Sequence, residues 1–391
     1  MSRKILFVGH AADYTGAPIM LLHFLKWFKI HSDIPFEILL KREGALTGQI
    51  EALAPVTVLS YGVPGLLGRR ARALGFNRLL DRIERPRIKA RFDPSEFSLI
   101  YCNTVANGRL LRELSYLGCP VITHVHELEN TIRHPDLGLA QFRLVQEFTE
   151  HYVAASGKVK DNLIKNHQIS TENISIIQSF IPTEKIVLAN FKATRQRIRE
   201  SLQIPNDTLV VGGAGRTDWR KGPDLFIELG KEFCRAHPDL AICFLWIGRE
   251  QSERQRKELK RAIDLAGLEN KVRFLGFKPN PIEFFSAFDV FALTSREDSF
   301  PAVMLESACW GTPVLCFQES GGATEFVEKD AGIAVPYLDV VAMAKALWEL
   351  LKDNELRARL GQQAQRKVQT HYDVSAGAQK IMNVIERYYR P

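Results

Sequence analysis

Short apolar, β-rich runs alternate with helical stretches twice over in this chain, and that repetition restricts the fold more than any other feature. The first series is KILFVG, FEILL, VTVLS, SLIYCN, PVITHV and HYVAAS, with ISIIQ following one helix later. After Pro182 the pattern loosens into a charged stretch through Pro205 and Asn206. It restarts near Thr208 with TLVVGGAG, AICFLWIG, KVRFLGF, DVFALT, TPVLCF and GIAVP. Strands alternating with helices build parallel sheets through right-handed crossovers. Runs that are apolar throughout, rather than at every second position, suit strands covered by helices on both faces. The expected class is therefore α/β, with two Rossmann-like, doubly wound domains spanning 1–185 and 206–372. Two domains also suit the 391 residues of the chain, since one hydrophobic core stops growing near roughly 250–300 residues. In the tail, 373–391, Ile381, Val384, Ile385 and Tyr388 fall on one helical face. That spacing predicts a closing helix that packs back onto the first domain.

Hydrophobic residues make up 46% and charged residues 25%, the balance of an ordinary globular protein rather than a disordered or fibrous one. The cysteines, Cys102, Cys119, Cys234, Cys243, Cys309 and Cys316, show no C-x-x-C spacing, which fits a reducing compartment and no structural zinc. No run of about 18 apolar residues occurs, and the apolar stretch in MSRKILFVGHAADYTG is too short for a secretory signal. The expected location is cytoplasmic. The net charge of +7 is concentrated in GRRARALGFNRLLDRIERPRIKARF, where Arg69 to Arg91 hold most of the excess. Two readings of this stretch stay open. It attracts an anionic membrane surface or acceptor, placing the protein peripherally on the inner membrane face, or it is a solvated loop and helix face. No nucleic-acid partner is expected.

In an open parallel sheet, ligands bind beyond the carboxyl ends of the strands. The turn after TLVVGGAG reads RTDWRKG, with Arg216 and Lys221 at the head of a helix. A planar guanidinium and a mobile ammonium beside a helix start suit a diphosphate. Further on, TSREDSFPAVMLESACWGTPV places seven residues between Asp298 and Glu306, with Glu297 one step before Asp298. Pro301 is expected in the first turn of a helix, where its missing N–H costs nothing. Ala302 and Val303 then offer backbone N–H groups to an anion. Glu306 can accept from two vicinal hydroxyls, as a ribose presents, while Asp298 or Glu297 reaches sugar hydroxyls. The plainer reading of Glu306 is a first-turn acid complementing the helix dipole. No His-rich or Asp-x-Asp cluster and no G-x-S-x-G elbow occurs.

Taken in order, Gly16, Asn103–Thr104, His126 in HVHE, Arg216 with Lys221, Asp298 with Glu306, Gly311 in GTPV and the pair Gly321–Gly322 form a specific series. In that series the chain resembles the nucleotide-sugar glycosyltransferases of family four (group 1), whose two-domain fold is called GT-B. The resemblance implies two domains facing a cleft, a UDP- or GDP-sugar donor, retention of anomeric configuration, and neither metal nor other cofactor. It implies a saccharide or lipid-linked acceptor, in cell-envelope or exopolysaccharide synthesis. Carried over residue by residue, it puts Gly16 against the diphosphate, His126 beside the reacting sugar, Arg216 and Lys221 on the phosphates and Glu306 on the ribose. Gly248, closing AICFLWIG, joins the donor site with Ala302 and Val303; Asn103 and Thr104 stand toward the acceptor. Glu297 and Asp298 both remain candidates for the sugar contact.

Two other classes compete with this one. A nicotinamide-dependent dehydrogenase needs G-x-G-x-x-G opening a helix, and neither GGAGRTDWRKG nor GHAADYTG supplies it. A catalytically silent nucleotide-sugar-binding partner is the other class; intact Arg216, Lys221, Glu306 and His126 argue against it.

Overall fold

The computed structural model describes residues 2–59, 88–134, 138–187, 190–278 and 281–391. The basic stretch therefore lies outside the described residues from Arg69 to Arg87. Its described end packs down: residues 88–91 are helical, Ile88 and Phe92 are buried, and Tyr116 donates its hydroxyl to both of their carbonyls. Among the described residues no helix is long and apolar enough to cross a membrane.

The chain divides into two compact units, Met1–Gln178 with Gly377–Pro391, and Ser179–Ala376. The first holds β1 (Lys4–Gly9), β2 (Phe36–Leu40), β3 (Val56–Val58), β4 (Phe97–Asn103), β5 (Val121–Val125), β6 (His151–Ala154) and β7 (Ile174–Ile176). They form one parallel sheet in the order β3-β2-β1-β4-β5-β6-β7. The second holds β8 (Leu209–Ala214), β9 (Ile242–Ile247), β10 (Val272–Phe274), β11 (Val290–Leu293), β12 (Val314–Phe317) and β13 (Gly332–Val335), in the parallel order β10-β9-β8-β11-β12-β13.

Continuous apolar strands arise because both faces are covered. All seven residues of β4 and all six of β9 are buried. Side chains alternate across a strand, so Cys243, Leu245 and Ile247 enter one core of the second unit while Phe244 and Trp246 enter the other. In each sheet the order reverses beside its first strand. The reversal lies between β1 and β4 in the first unit, where Gly9 pairs with Asn103, and between β8 and β11 in the second. These switch points are where an open α/β sheet leaves room for a ligand.

The charged stretch after Pro182 is helical over Phe191–Ser201 and belongs to the second unit. Two of its three arginines converge on one acid: Arg195 and Arg199 bond the two oxygens of Asp289 at 2.7 and 2.9 Å, while Arg197 pairs with Glu283 at 2.9 Å. The helix Val374–Tyr388 carries the chain back into the first unit, with Ile381, Val384 and Ile385 buried. Tyr388 Oη bonds His151 Nδ1 at 3.1 Å, and Tyr389 donates to the Arg3 carbonyl at 2.6 Å.

Candidate active site

In the second unit, β8 ends at Ala214 and the chain turns before the helix Pro223–Ala236 begins. Asp218 organises that turn. It accepts from Lys221 N at 3.2 Å and also holds Arg216 at 2.9 Å and Arg220 at 3.6 Å. Gly222 takes φ 66°, and a Cβ there would stand 2.1 Å from the Thr294 carbonyl oxygen. Both the left-handed backbone and the close approach demand glycine. Lys221 Nζ donates to Asp298 Oδ2, so the two residues singled out for phosphate and sugar form an ion pair.

Asp298 is fixed in turn by its backbone. Its N–H donates to Ser320 O at 2.8 Å and its carbonyl accepts from Gly322 N at 3.2 Å. A Cβ on the intervening Gly321 would lie 1.7 Å from that carbonyl oxygen. Glu297, also buried, has its N–H on Arg220 O at 3.3 Å. Sequence reading missed the residue that ties these loops together. Arg296 grips Asp224 with two N–H groups at 2.8 and 2.5 Å, donates to Trp219 O at 3.0 Å and lies 5.2 Å from the Trp219 ring centre. The available signal was Asp224 itself, an acid in the first turn of a helix opened by Gly-Pro.

Pro301 stands one residue earlier than the sequence suggests. Its ψ of 114° is extended, so it caps the helix Ala302–Ala308 from outside rather than entering its first turn. The N–H groups of Ala302 and Val303 precede the first helical bond, from Met304 N to Pro301 O at 3.1 Å. Glu306 lies beyond the first turn, which removes the plain reading of it as an acid on the helix dipole. No hydrogen bond or ion pair holds it among the described residues. Part of its surface reaches solvent, yet burial pushes its carboxyl up to about 7. Gly248 follows β9, where a Cβ would stand 1.8 Å from Gly215 O; its N–H donates to Gly276 O at 3.1 Å. Gly276 in turn lines a cavity of about 450 Å³ with Glu250, Arg256, Lys260 and Phe274.

In the first unit, the helix Gly16–His31 opens beside the β1/β4 switch, and a Cβ on Gly16 would meet nothing within 4 Å. Asn103 ends β4. Its Nδ2 donates to Ala17 O at 3.0 Å and its Oδ1 meets His126 Nε2 at 2.8 Å. His126 stacks on His124 with centroids 4.1 Å apart. Burial, then the neighbouring His10, pushes its pKa down to about 3, so the ring is neutral. Thr104, a β-branched residue at φ 92°, is in a conformation few such residues adopt. Its hydroxyl donates to Glu127 Oε1, while Glu127 Oε2 accepts from His126 N at 2.8 Å. The side chains of Asn103 and Thr104 are thus committed to holding the His126 turn. Glu127 was in view in HVHE but was not singled out.

Gly16, Asn103, Thr104 and His126 gather in the first unit, and Arg216, Lys221, Glu297, Asp298, Ala302, Val303 and Glu306 sit on two linked loops and a helix of the second. Residues 194–367 match the family model described as glycosyl transferases group 1. A D-inositol 3-phosphate glycosyltransferase of Corynebacterium aurimucosum is 28% identical over 67% of this chain and 63% of its own length. The lipopolysaccharide core biosynthesis glycosyltransferase LpsE of Rhizobium meliloti is 32% identical over 45% of this chain and 50% of its own. The chain thus spans less than two thirds of the length of these curated relatives. Among solved structures, Anabaena HepE in complex with UDP and glucose superposes with a TM-score of 0.78 at 22% identity, over 98% of this chain and 99% of that one. The fold is GT-B, and residues 194–367, somewhat less than half of the chain, are similar to the group 1 glycosyl transferases.

Proposed function

We propose that the protein is a retaining, metal-independent glycosyltransferase. It takes a sugar from a UDP- or GDP-sugar and passes it to a saccharide or lipid-linked acceptor in cell-envelope or exopolysaccharide synthesis. The observation that carries this reading is the Lys221–Asp298 pair at the β8/β11 switch, followed by a helix bearing Glu306, which has no partner among the described residues, all inside the stretch that matches the family model. The names of the relatives support the acceptor class, and the UDP and glucose bound by HepE support the donor class.

In this reading the donor lies on the second unit and the acceptor on the first. The diphosphate draws the Lys221 ammonium away from Asp298, and Arg216 adds a guanidinium with donors to spare beyond its bond to Asp218. These charges stabilise the departing diphosphate most when its bond to the sugar breaks. The acceptor oxygen bonds to the anomeric carbon on the face the phosphate leaves, and the leaving phosphate oxygen takes the acceptor's proton. No protein nucleophile is needed. Glu306, as a carboxylate, accepts from the ribose hydroxyls. Neutral His126 orients a donor-sugar hydroxyl through Nδ1 and does not act as an acid.

The test is release of nucleoside diphosphate from a panel of UDP-, GDP- and ADP-sugars. Lys221→Ala and Glu306→Ala are each expected to lower release by about 100-fold while the fold survives, because each removes a donor contact rather than core packing. Near-normal release from both variants would refute the site. Donor binding without release from the unaltered protein would favour the silent partner.

A further inference from the structure

A cationic group in the first unit has no role in the reading above. Lys41 directly follows β2, and its N–H donates to Gly9 O at 3.0 Å, beside the end of β1. Its Nζ crosses to Ala106 O at 2.7 Å, beyond the end of β4. An ammonium has three N–H groups, and this carbonyl takes one. Arg42 comes next in the chain, and Arg109 lies three residues past Ala106; both are exposed, and both charges bear on Lys41. No carboxylate holds any of the three among the described residues. Of the nearby acids, Asp13 accepts from the Thr15 hydroxyl at 2.5 Å, and Glu113 acts on Lys41 less than either arginine does. His10, on which Lys41 and Arg42 also bear, has a buried Nδ1 without a hydrogen-bond partner.

The frame around these groups is rigid. Leu46 N donates to Ala12 O at 2.8 Å, and a Cβ on Gly44 would stand 2.2 Å from the same oxygen, so the loop bearing Lys41 is locked onto the loop after β1. Burial pushes the Lys41 ammonium down to about 8, which leaves it charged at neutral pH. A part-buried cation without a counter-ion is costly to keep, and this one stands beside the switch point where such sheets bind ligands.

We propose that Lys41, Arg42 and Arg109 bind an anionic group, a phosphate ester or a carboxylate, carried by the acceptor sugar. The proposal rests on the reading that the acceptor binds the first unit. An acidic acceptor supplies the missing counter-charge; a neutral one leaves the ammonium's charge uncompensated.

The test is calorimetric titration of the full chain with glucose 6-phosphate, glucuronate and glucose, in saturating nucleoside diphosphate so that the second unit's phosphate site is filled. One acidic sugar is expected to bind and glucose not to, and which acid binds separates phosphate from carboxylate. Lys41→Met and the double variant Arg42→Gln/Arg109→Gln are each expected to weaken that binding at least about tenfold, the scale of losing a charge-assisted hydrogen bond. The double variant alters only exposed side chains and keeps the test decisive if Lys41→Met does not fold. Failure of both acids to bind, binding of glucose as tight as that of the acids, or unchanged binding in the variants overturns the proposal. The donor reading is judged apart from this, by nucleoside diphosphate release from the unaltered protein.

Discussion

Asn103 decides where the proton sits on His126. Its Nδ2 is used on the Ala17 carbonyl, so Oδ1 is the atom facing the imidazole, and Nε2 must donate to it. The lone pair is then on Nδ1. Asn103→Ala removes that constraint, and kcat is expected to fall about 10–100-fold, as when a ligand-orienting partner is lost, with the donor KM little changed. Asn103→Asp keeps the acceptor oxygen but adds a negative charge, which raises the His126 pKa from about 3. Protonation then enters the working range, and the kcat profile should gain an acid limb that the unaltered protein lacks. A profile with no new limb would show that Asn103 acts only on the fold. Glu306 titrates with the opposite consequence. Its carboxyl, ordinarily near 4.5, is raised to about 7, so its contribution to stability is complete below 4.5 and is lost as pH rises through about 7. Ribose hydroxyls favour the ionised form, so nucleoside diphosphate affinity is expected to rise through that same pH range. Titrations of Glu306→Gln at several pH values should show neither trend.

The two loops of the second unit act as one element because Arg296 joins them. Arg296 N also donates to Arg220 O at 2.6 Å, and Thr294 Oγ1 donates to Gly222 O at 2.9 Å. Arg296→Ala removes the Asp224 fork and the Trp219 contact while leaving Lys221 and Asp298 in place. The donor KM should rise with kcat less affected, by about 0.5–1 kcal/mol in binding, because Asp224 is largely exposed and solvent screens the pair; an unchanged KM in steady-state assays would mean the loops hold without it. The sheets themselves were legible in the sequence because uninterrupted apolar runs are a direct product of burial on both faces. Lys221, Asp298 and Glu306 were legible as residue types at a glycine turn and on a helix. The Lys221–Asp298 pair was not, since 77 residues separate its members and only the β8/β11 reversal brings them together. Arg296 was hidden for the same reason: an arginine in a polar loop looks solvated until its distant acid is known. Pro301 was misplaced by one residue because both positions accept its fixed φ, and only ψ distinguishes cap from first turn.

At the scale of the whole chain the two units differ in continuity. The second is one uninterrupted segment, Ser179–Ala376, whereas the first is completed by residues that come after it, Gly377–Pro391. The first unit's stability therefore depends on the last helix, whose Ala378, Ile381, Val384 and Ile385 are buried and whose end is fixed by the bonds from Tyr388 and Tyr389. Ile385 is fully buried, and Ile385→Ala removes a core side chain at about 2–5 kcal/mol. Because the residue belongs to the first unit, that loss should fall on the unit that also holds His126 and Asn103. Nucleoside diphosphate affinity, which the proposed function places on the second unit, should stay as it was. A denaturant titration followed with and without saturating nucleoside diphosphate separates the two effects. If the ligand-binding transition weakens as much as the rest, the units do not unfold independently, and the division of labour between them has to be redrawn.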